Sequence, residues 1–304
     1  MPEINIGAPV GALVDWLTAN FGPLFSAISA VMLFLLDIVL VILTAPSPYI
    51  VIAVFVVLAL LERKWGFGVF TLLAFLLILF MGLWTEAMQT LAVVVVATAF
   101  AVAIGVPVGI WAARSKRVSS VVRPVLDFMQ TLPVFVYLIP AVFFFGIGVV
   151  PGVISTLVFA IPPAVRLTEL GIRSVDKEVV EAAIAFGAKP RQMLREVQLP
   201  LALPSIMAGV NQTLMLALSM VVISGLVGAG GLGAVVVRGI STLDVGAGFE
   251  GGIAVVILAI YLDRLTASLA KPRRRRSKTR KAATAPSTTT TTDQPADQGV
   301  LASS

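Results

Sequence analysis

The sequence predicts an all-α, polytopic membrane protein. Two observations predict it. Hydrophobic residues make up 58% of the 304 residues and charged residues 12%, whereas a soluble domain is about a quarter charged. The apolar residues also fall in runs of spanning length, separated by short segments that hold most of the charge. The composition excludes other classes. There is no cysteine and no histidine, so disulfides, thiol chemistry, the usual general base and the commonest metal ligand are absent. The net charge of +6 is concentrated in one tail, at Lys271, Arg273, Arg274, Arg275, Arg276, Lys278, Arg280 and Lys281. The remainder is close to neutral, which speaks against a nucleic-acid surface and for a cytoplasmic anchor beside anionic membrane lipid. The N-terminus lacks the basic region of a signal peptide.

Taken in order, residues 1–20 are mildly amphipathic, with Glu3 and Asp15 their charges. Residues 25–43 are long and apolar enough to span but contain Asp37. An ionised carboxylate at mid-bilayer costs about 2.5–3.5 kcal/mol on the insertion scale. Two readings stay open: a true span, or a helix in the interface with Asp37 toward water. No lysine or arginine precedes Arg63, so charge parity leaves the N-terminus outside and favours the interfacial helix. Residues 45–48 (APSP) break it. Residues 49–61 are a short span closed by Glu62, Arg63 and Lys64, and residues 66–84 are the next. Residues 91–111 follow, ending at Arg114, Lys116 and Arg117. Arg123 and Asp127 sit on an amphipathic lead-in to a span at 131–146. Residues 149–161 come next, entered at Pro151 and kinked by Pro162 and Pro163. A polar loop then runs to Pro204, before a span at 206–226, a glycine-rich stretch at 228–249 and a last span at 251–262. The expectation is about seven spanning helices plus an N-terminal amphipathic or interfacial one. Trp16, Trp65, Trp84 and Trp111 flank spans as interfacial anchors. The expected partition is residues 1–44, two accessory spans at 45–84, a core at 85–270 with a loop at 167–204, and a tail at 271–304. Its last part, 282–304, is a Thr/Ala/Ser/Pro-rich segment expected to be disordered.

The loop is the most informative stretch. Val179, Val180, Ala183, Ile184 and Phe186 make one apolar side of a short helix, with Glu181 exposed beside them. Gly187 stands where that helix would stop, because glycine accepts the left-handed conformation. Pro190 suits the first turn of a second helix and Pro200 marks its expected end. The arginines and lysines around this loop, with those at 63–64, 114–117 and the tail, place it inside.

Glu181, Ala182, Ala183, then Gly187, then Val197, Leu199 and Pro200 resemble the EAA loop of ABC-importer permeases. That pattern is E-A-A, three residues, G, nine residues, an aliphatic residue, one residue, then L-P; every position matches. The stretches 129–148, 190–225, GGLG at 230–233 and LDRLT at 262–266 resemble the permeases of glycine betaine/proline betaine importers. The resemblance implies the type I importer (MetI-like) permease fold and a coupling loop that docks on a separate ABC ATPase. It further implies a second copy of the chain, an extracytoplasmic substrate-binding protein, and a multi-pass location in a prokaryotic cell membrane. ATP and magnesium would belong to the ATPase; no cofactor or metal is expected in this chain, and no catalytic residue.

Other motifs are weaker. Gly228, Gly230 and Gly233 satisfy G-x-G-x-x-G, but they follow a membrane helix and not a strand, so a dinucleotide site is rejected. No G-x-x-x-x-G-K-[ST] occurs. Asn211–Gln212–Thr213 fits a glycosylation sequon but lies inside an apolar helix. Gln130, Thr131, Asn211, Gln212, Ser219 and Ser224 are polar side chains in apolar spans. They either line a permeation path or hydrogen-bond between helices. An importer of choline, carnitine or another small amine stays open as an alternative, as does a secondary transporter.

Overall fold

The structure is a computed structural model that describes residues 7–61 and 65–269. Glu62–Arg63–Lys64, the basic tail and the segment 282–304 lie outside the described residues. The described residues are helical, with no strand among them. In order they are α1 (Gly7–Thr44), α2 (Pro48–Leu60), α3 (Trp65–Phe80), α4 (Trp84–Arg114), α5 (Lys116–Thr131), α6 (Val134–Phe145), α7 (Val149–Arg173), α8 (Lys177–Ala185), α9 (Pro190–Gln192), a π-helical stretch (Met193–Gln198), α10 (Leu199–Ser224), α11 (Gly231–Thr242) and α12 (Val245–Leu269). Among the described residues, five helices are long and apolar enough to cross a membrane, and six if the bent pair α5–α6 counts as one span.

α7 is the centre of the bundle, packed on α4 along one side and α10 along the other. Small residues set both contacts. On α4, Gly105 and Gly109 are four apart and face Ala164, Val165 and Thr168 of α7. A Cβ at Gly109 would lie 2.6 Å from the Val165 carbonyl oxygen. On α10, Gly209 meets Pro163 and Ala164. Without a hydrophobic drive between helices in lipid, such close backbone approach supplies the packing attraction. The largest core adds Phe75, Met88, Leu258 and Tyr261. There the rings of Phe55, Phe75 and Tyr261 cluster with centroids 4.9–5.2 Å apart and fasten α2 and α3 to α12.

Several expectations change. α7 does not stop near residue 161: it carries Pro162 and Pro163 inside a 25-residue helix to Arg173. Both prolines are buried, and packing on two neighbours holds the helix through the missing N–H donors. α6 has only 12 residues and meets α5 at 97°. The break is at Leu132, whose extended backbone (φ −66°, ψ 133°) is what a residue preceding Pro133 prefers. Pro200 does not end a helix. The π stretch admits one extra residue, the Leu199 N–H donates to the Leu194 carbonyl five back, and the chain continues as helix through Pro200 and Pro204. Trp84 is no interfacial anchor: it is buried edge-on against Phe75, while Trp16, Trp65 and Trp111 are exposed.

α1 bends at Phe21, two residues ahead of Pro23, and is of spanning length from Gly11 to Thr44. Met32 and Leu36 are buried in the core. Asp37 borders a cavity of about 260 Å³ with Gln89 and Gly230. It is therefore level with the first turns of α4.

Candidate functional site

The two ends of the bundle are built differently. At one end the starts of α4 and α7 meet the end of α10. The Gly148 N–H donates to the Val227 carbonyl at 2.9 Å. The turn 228–231 is held by Gln89 Oε1 accepting from the Gly231 N–H (2.9 Å) and Thr90 Oγ1 accepting from the Leu232 N–H (2.8 Å). These two α4 side chains satisfy N–H groups that open α11. The G-x-G-x-x-G motif is this turn: φ is +82° at Gly228 and +74° at Gly230. The role of Gln89 and Thr90 had no local signal, since their partners lie 142 residues away.

At the opposite end the chain leaves α7, forms α8 and returns into α10. Asp176 caps α8, its carboxylate accepting from the Glu178 N–H at 3.0 Å. The helix closes on Gly187 at φ +80°. The Gly187 N–H donates to the Ile184 carbonyl (2.8 Å) and the Ala188 N–H to the Ala183 carbonyl (3.0 Å). This pair of bonds is the Schellman arrangement. Gln192 then accepts from the Lys189 N–H at 3.1 Å, securing the turn into Pro190. The loop outside the long helices is thus 174–189, shorter than 167–204.

α8 buries none of its residues. Glu181 and Ala182 are exposed and Ala183 is half-buried. Ile184 is 60% and Phe186 92% exposed, so two large apolar side chains project from a short helix. Val197 and Leu199 are half-buried on the rod that leads back into the bundle, and Pro200 is exposed. Beneath, Ile172, Leu194, Ala202 and Ile206 form a separate apolar cluster. It joins the end of α7 to the π stretch and the start of α10.

The polar side chains of the spans separate into two groups. Asn211 bridges helices: its Nδ2 donates to Asp263 Oδ1 at 2.8 Å and its Oδ1 accepts from the Thr266 hydroxyl at 2.5 Å. Ser224 is buried, and its hydroxyl donates to the Val221 carbonyl of its own helix. Both serve packing. Gln212 and Ser219 are exposed and share a stripe of α10 with Ala208 and Met215. Gln130 and Thr131 are exposed at the α5–α6 bend, where the Tyr137 hydroxyl donates to the Met129 carbonyl across it.

Comparison with known proteins accords with this geometry. The family model for the binding-protein-dependent transport system inner membrane component matches residues 105–275. The chain is 50% identical over 264 residues to the glycine betaine/proline betaine transport system permease protein ProW of Escherichia coli (strain K12), covering 86% of this chain and 74% of that one. It is 46% identical over 277 residues to the glycine betaine transport system permease protein OpuAB of Bacillus subtilis (strain 168), covering 91% and 98%. It is 47% identical to the glycine betaine/carnitine transport permease protein GbuB of Listeria monocytogenes (serotype 1/2a, strain 10403S), covering 89% and 97%. Among solved structures, an inward-facing form of the MetNI methionine ABC transporter superposes with a TM-score of 0.56 at 25% identity, over 62% of this chain and 94% of that one. The chain belongs to the binding-protein-dependent transport system inner membrane components, and it is a multi-pass permease of an ABC importer.

Proposed function

We propose that this permease imports glycine betaine and proline betaine, with α8 as its coupling helix. The observation that carries the coupling role is a nine-residue helix with no buried residue and Phe186 92% exposed, joined to α7 on one side and α10 on the other. A partner groove would cover Ile184 and Phe186; Ala182 and Ala183 let its walls approach, and the exposed Glu181 offers a carboxylate to donors there. Betaine as substrate is supported by the names of the relatives. Carnitine, named for one of them, makes a carnitine importer the second reading.

The mechanism is alternating access. ATP and its magnesium bind the ATPase, not this chain, which itself makes and breaks no bond. Closure of two ATPases moves two coupling helices, one from each copy of a permease homodimer, and a binding protein delivers solute from outside. Displacement of α8 enters α7 through 174–176 and α10 through the π stretch. Gln130, Thr131, Gln212 and Ser219 line the path; Asn211 and Ser224 are left to packing. The core is residues 85–270 and the helices at 45–84 are accessory; residues 271–304 carry the basic tail.

The test is reconstitution of the permease with its ATPase and binding protein in proteoliposomes. ATP-dependent uptake of labelled glycine betaine, competed by proline betaine, is expected. Uptake of carnitine but not betaine selects the second reading. Uptake that survives loss of the ATPase selects a secondary transporter and ends both.

A further inference from the structure

The bent pair α5–α6 carries Gln130 and Thr131 but is poorly anchored at its α5 arm. α5 buries only Ser119 and Leu126. A cavity of about 320 Å³ separates it from α7, lined by Arg123, Asp127, Arg166, Glu169, Leu170 and Arg173. Across that gap the arm is held by polar contacts. The central one is Glu169, a carboxylate only 3% exposed. Its Oε1 accepts from the Ser119 hydroxyl at 2.7 Å and from Arg123 at 3.0 Å, and pairs with Arg173 at 3.1 Å. Arg173 in turn donates to the Ala112 carbonyl of α4 at 2.8 Å. Arg173 thus links the end of α4 to this group, and the Glu169 carboxylate ties the α5 arm to the last turn of α7. That turn leads through residues 174–176 directly into α8.

We propose that Glu169 is a positioning residue for transport. It clamps the α5 arm to the stem of the coupling helix, so that movement of α8 is delivered to the α5–α6 bend. Without it, α7 moves and the arm does not follow. A buried carboxylate needs partners to offset its lost hydration, so Ser119, Arg123 and Arg173 are the clamp's other half. Arg166 and Asp127 form a second, more exposed pair across the same gap, screened by water and weaker. The inference rests on α8 being the coupling helix.

The experiment uses the complete importer, permease with ATPase and binding protein, in proteoliposomes, and reads solute imported per ATP hydrolysed. Glu169→Gln is expected to assemble and hydrolyse ATP, yet lower that ratio at least tenfold. Arg123→Gln should lower it as well, while Arg123→Lys, which keeps a charge at that place, retains most of it. A wild-type ratio in Glu169→Gln overturns the clamp. So does an equal fall in uptake and hydrolysis, which is what damage to the bundle alone produces. Where Glu169→Gln does not assemble, Ser119→Ala and Arg123→Gln decide, since each leaves the carboxylate with a charged partner. A wild-type importer without ATP-driven uptake defeats the coupling reading itself, and is distinguished by that control.

Discussion

Gly187 shows how much one residue carries. At φ +80° any other residue costs about 1–2 kcal/mol, because Cβ crowds the carbonyl. Open space surrounds the position, with nothing within 4 Å of a built Cβ. The effect of Gly187→Leu is therefore a changed elbow and not a clash in the core. The expected outcome is an intact permease whose ATPase hydrolyses without matching uptake; coupled uptake at the wild-type ratio counts against α8 as the handle. Phe186→Asp should act differently. It removes a projecting apolar side chain and should weaken ATPase binding at least tenfold in a pull-down titration, with the permease fold unchanged. Much of this was legible: the E-A-A…G…L-P spacing picked out Gly187, and the apolar side of the short helix picked out Phe186. What was not legible is which apolar side chains of α8 face outward. Val180 and Ala183 are half-buried and Ile184 and Phe186 are not, and that division depends on where the π stretch passes.

Among elements, α7 departs furthest from its sequence reading. The sequence predicts a span that reaches only residue 161 and is kinked by Pro162 and Pro163, because each lacks a donor and its ring crowds the preceding turn. Burial between α4 and α10 overrides that local preference. The packing predicts a stability effect at Gly109. Valine there brings a side chain onto the Val165 carbonyl, and overpacking of this kind costs about 1–3 kcal/mol. Detergent-purified Gly109→Val should unfold at a clearly lower temperature than wild type; an unchanged midpoint means the helices separate more easily than the contact implies. α10 allows a paired comparison. Asn211→Leu removes bonds to Asp263 and Thr266, each worth roughly 0.6–1.7 kcal/mol between membrane helices. It should lower stability and leave the solute KM alone. Gln212→Ala should do the reverse, raising KM at unchanged stability. A KM change in Asn211→Leu would move that residue from packing to the path.

For the whole molecule, orientation follows from the ends of the helices. Arginine clusters at 114–117 and 166–195 share the α8 end, which the positive-inside rule puts in the cytoplasm. By the same rule the N-terminus is expected outside if α1 does not cross; a crossing α1, which its length allows, reverses that expectation. The chain has no cysteine, so Glu3→Cys and Phe186→Cys give clean single sites. An impermeant maleimide on whole cells should label Glu3→Cys and spare Phe186→Cys. Labelling of Phe186→Cys overturns the orientation of the coupling loop.

The sequence alone determined the class, the membrane and the permease family, and it supplied the expectations for sidedness and coupling. These rest on composition, local spacing and charge distribution, which are written along the chain. Only the tertiary structure decided that α7 continues through two prolines, that a π turn absorbs Pro200, and that Glu169 and Arg173 together join α7 to α5 and α4. Each depends on residues tens of positions apart meeting in space, and in that setting packing outweighs local propensity.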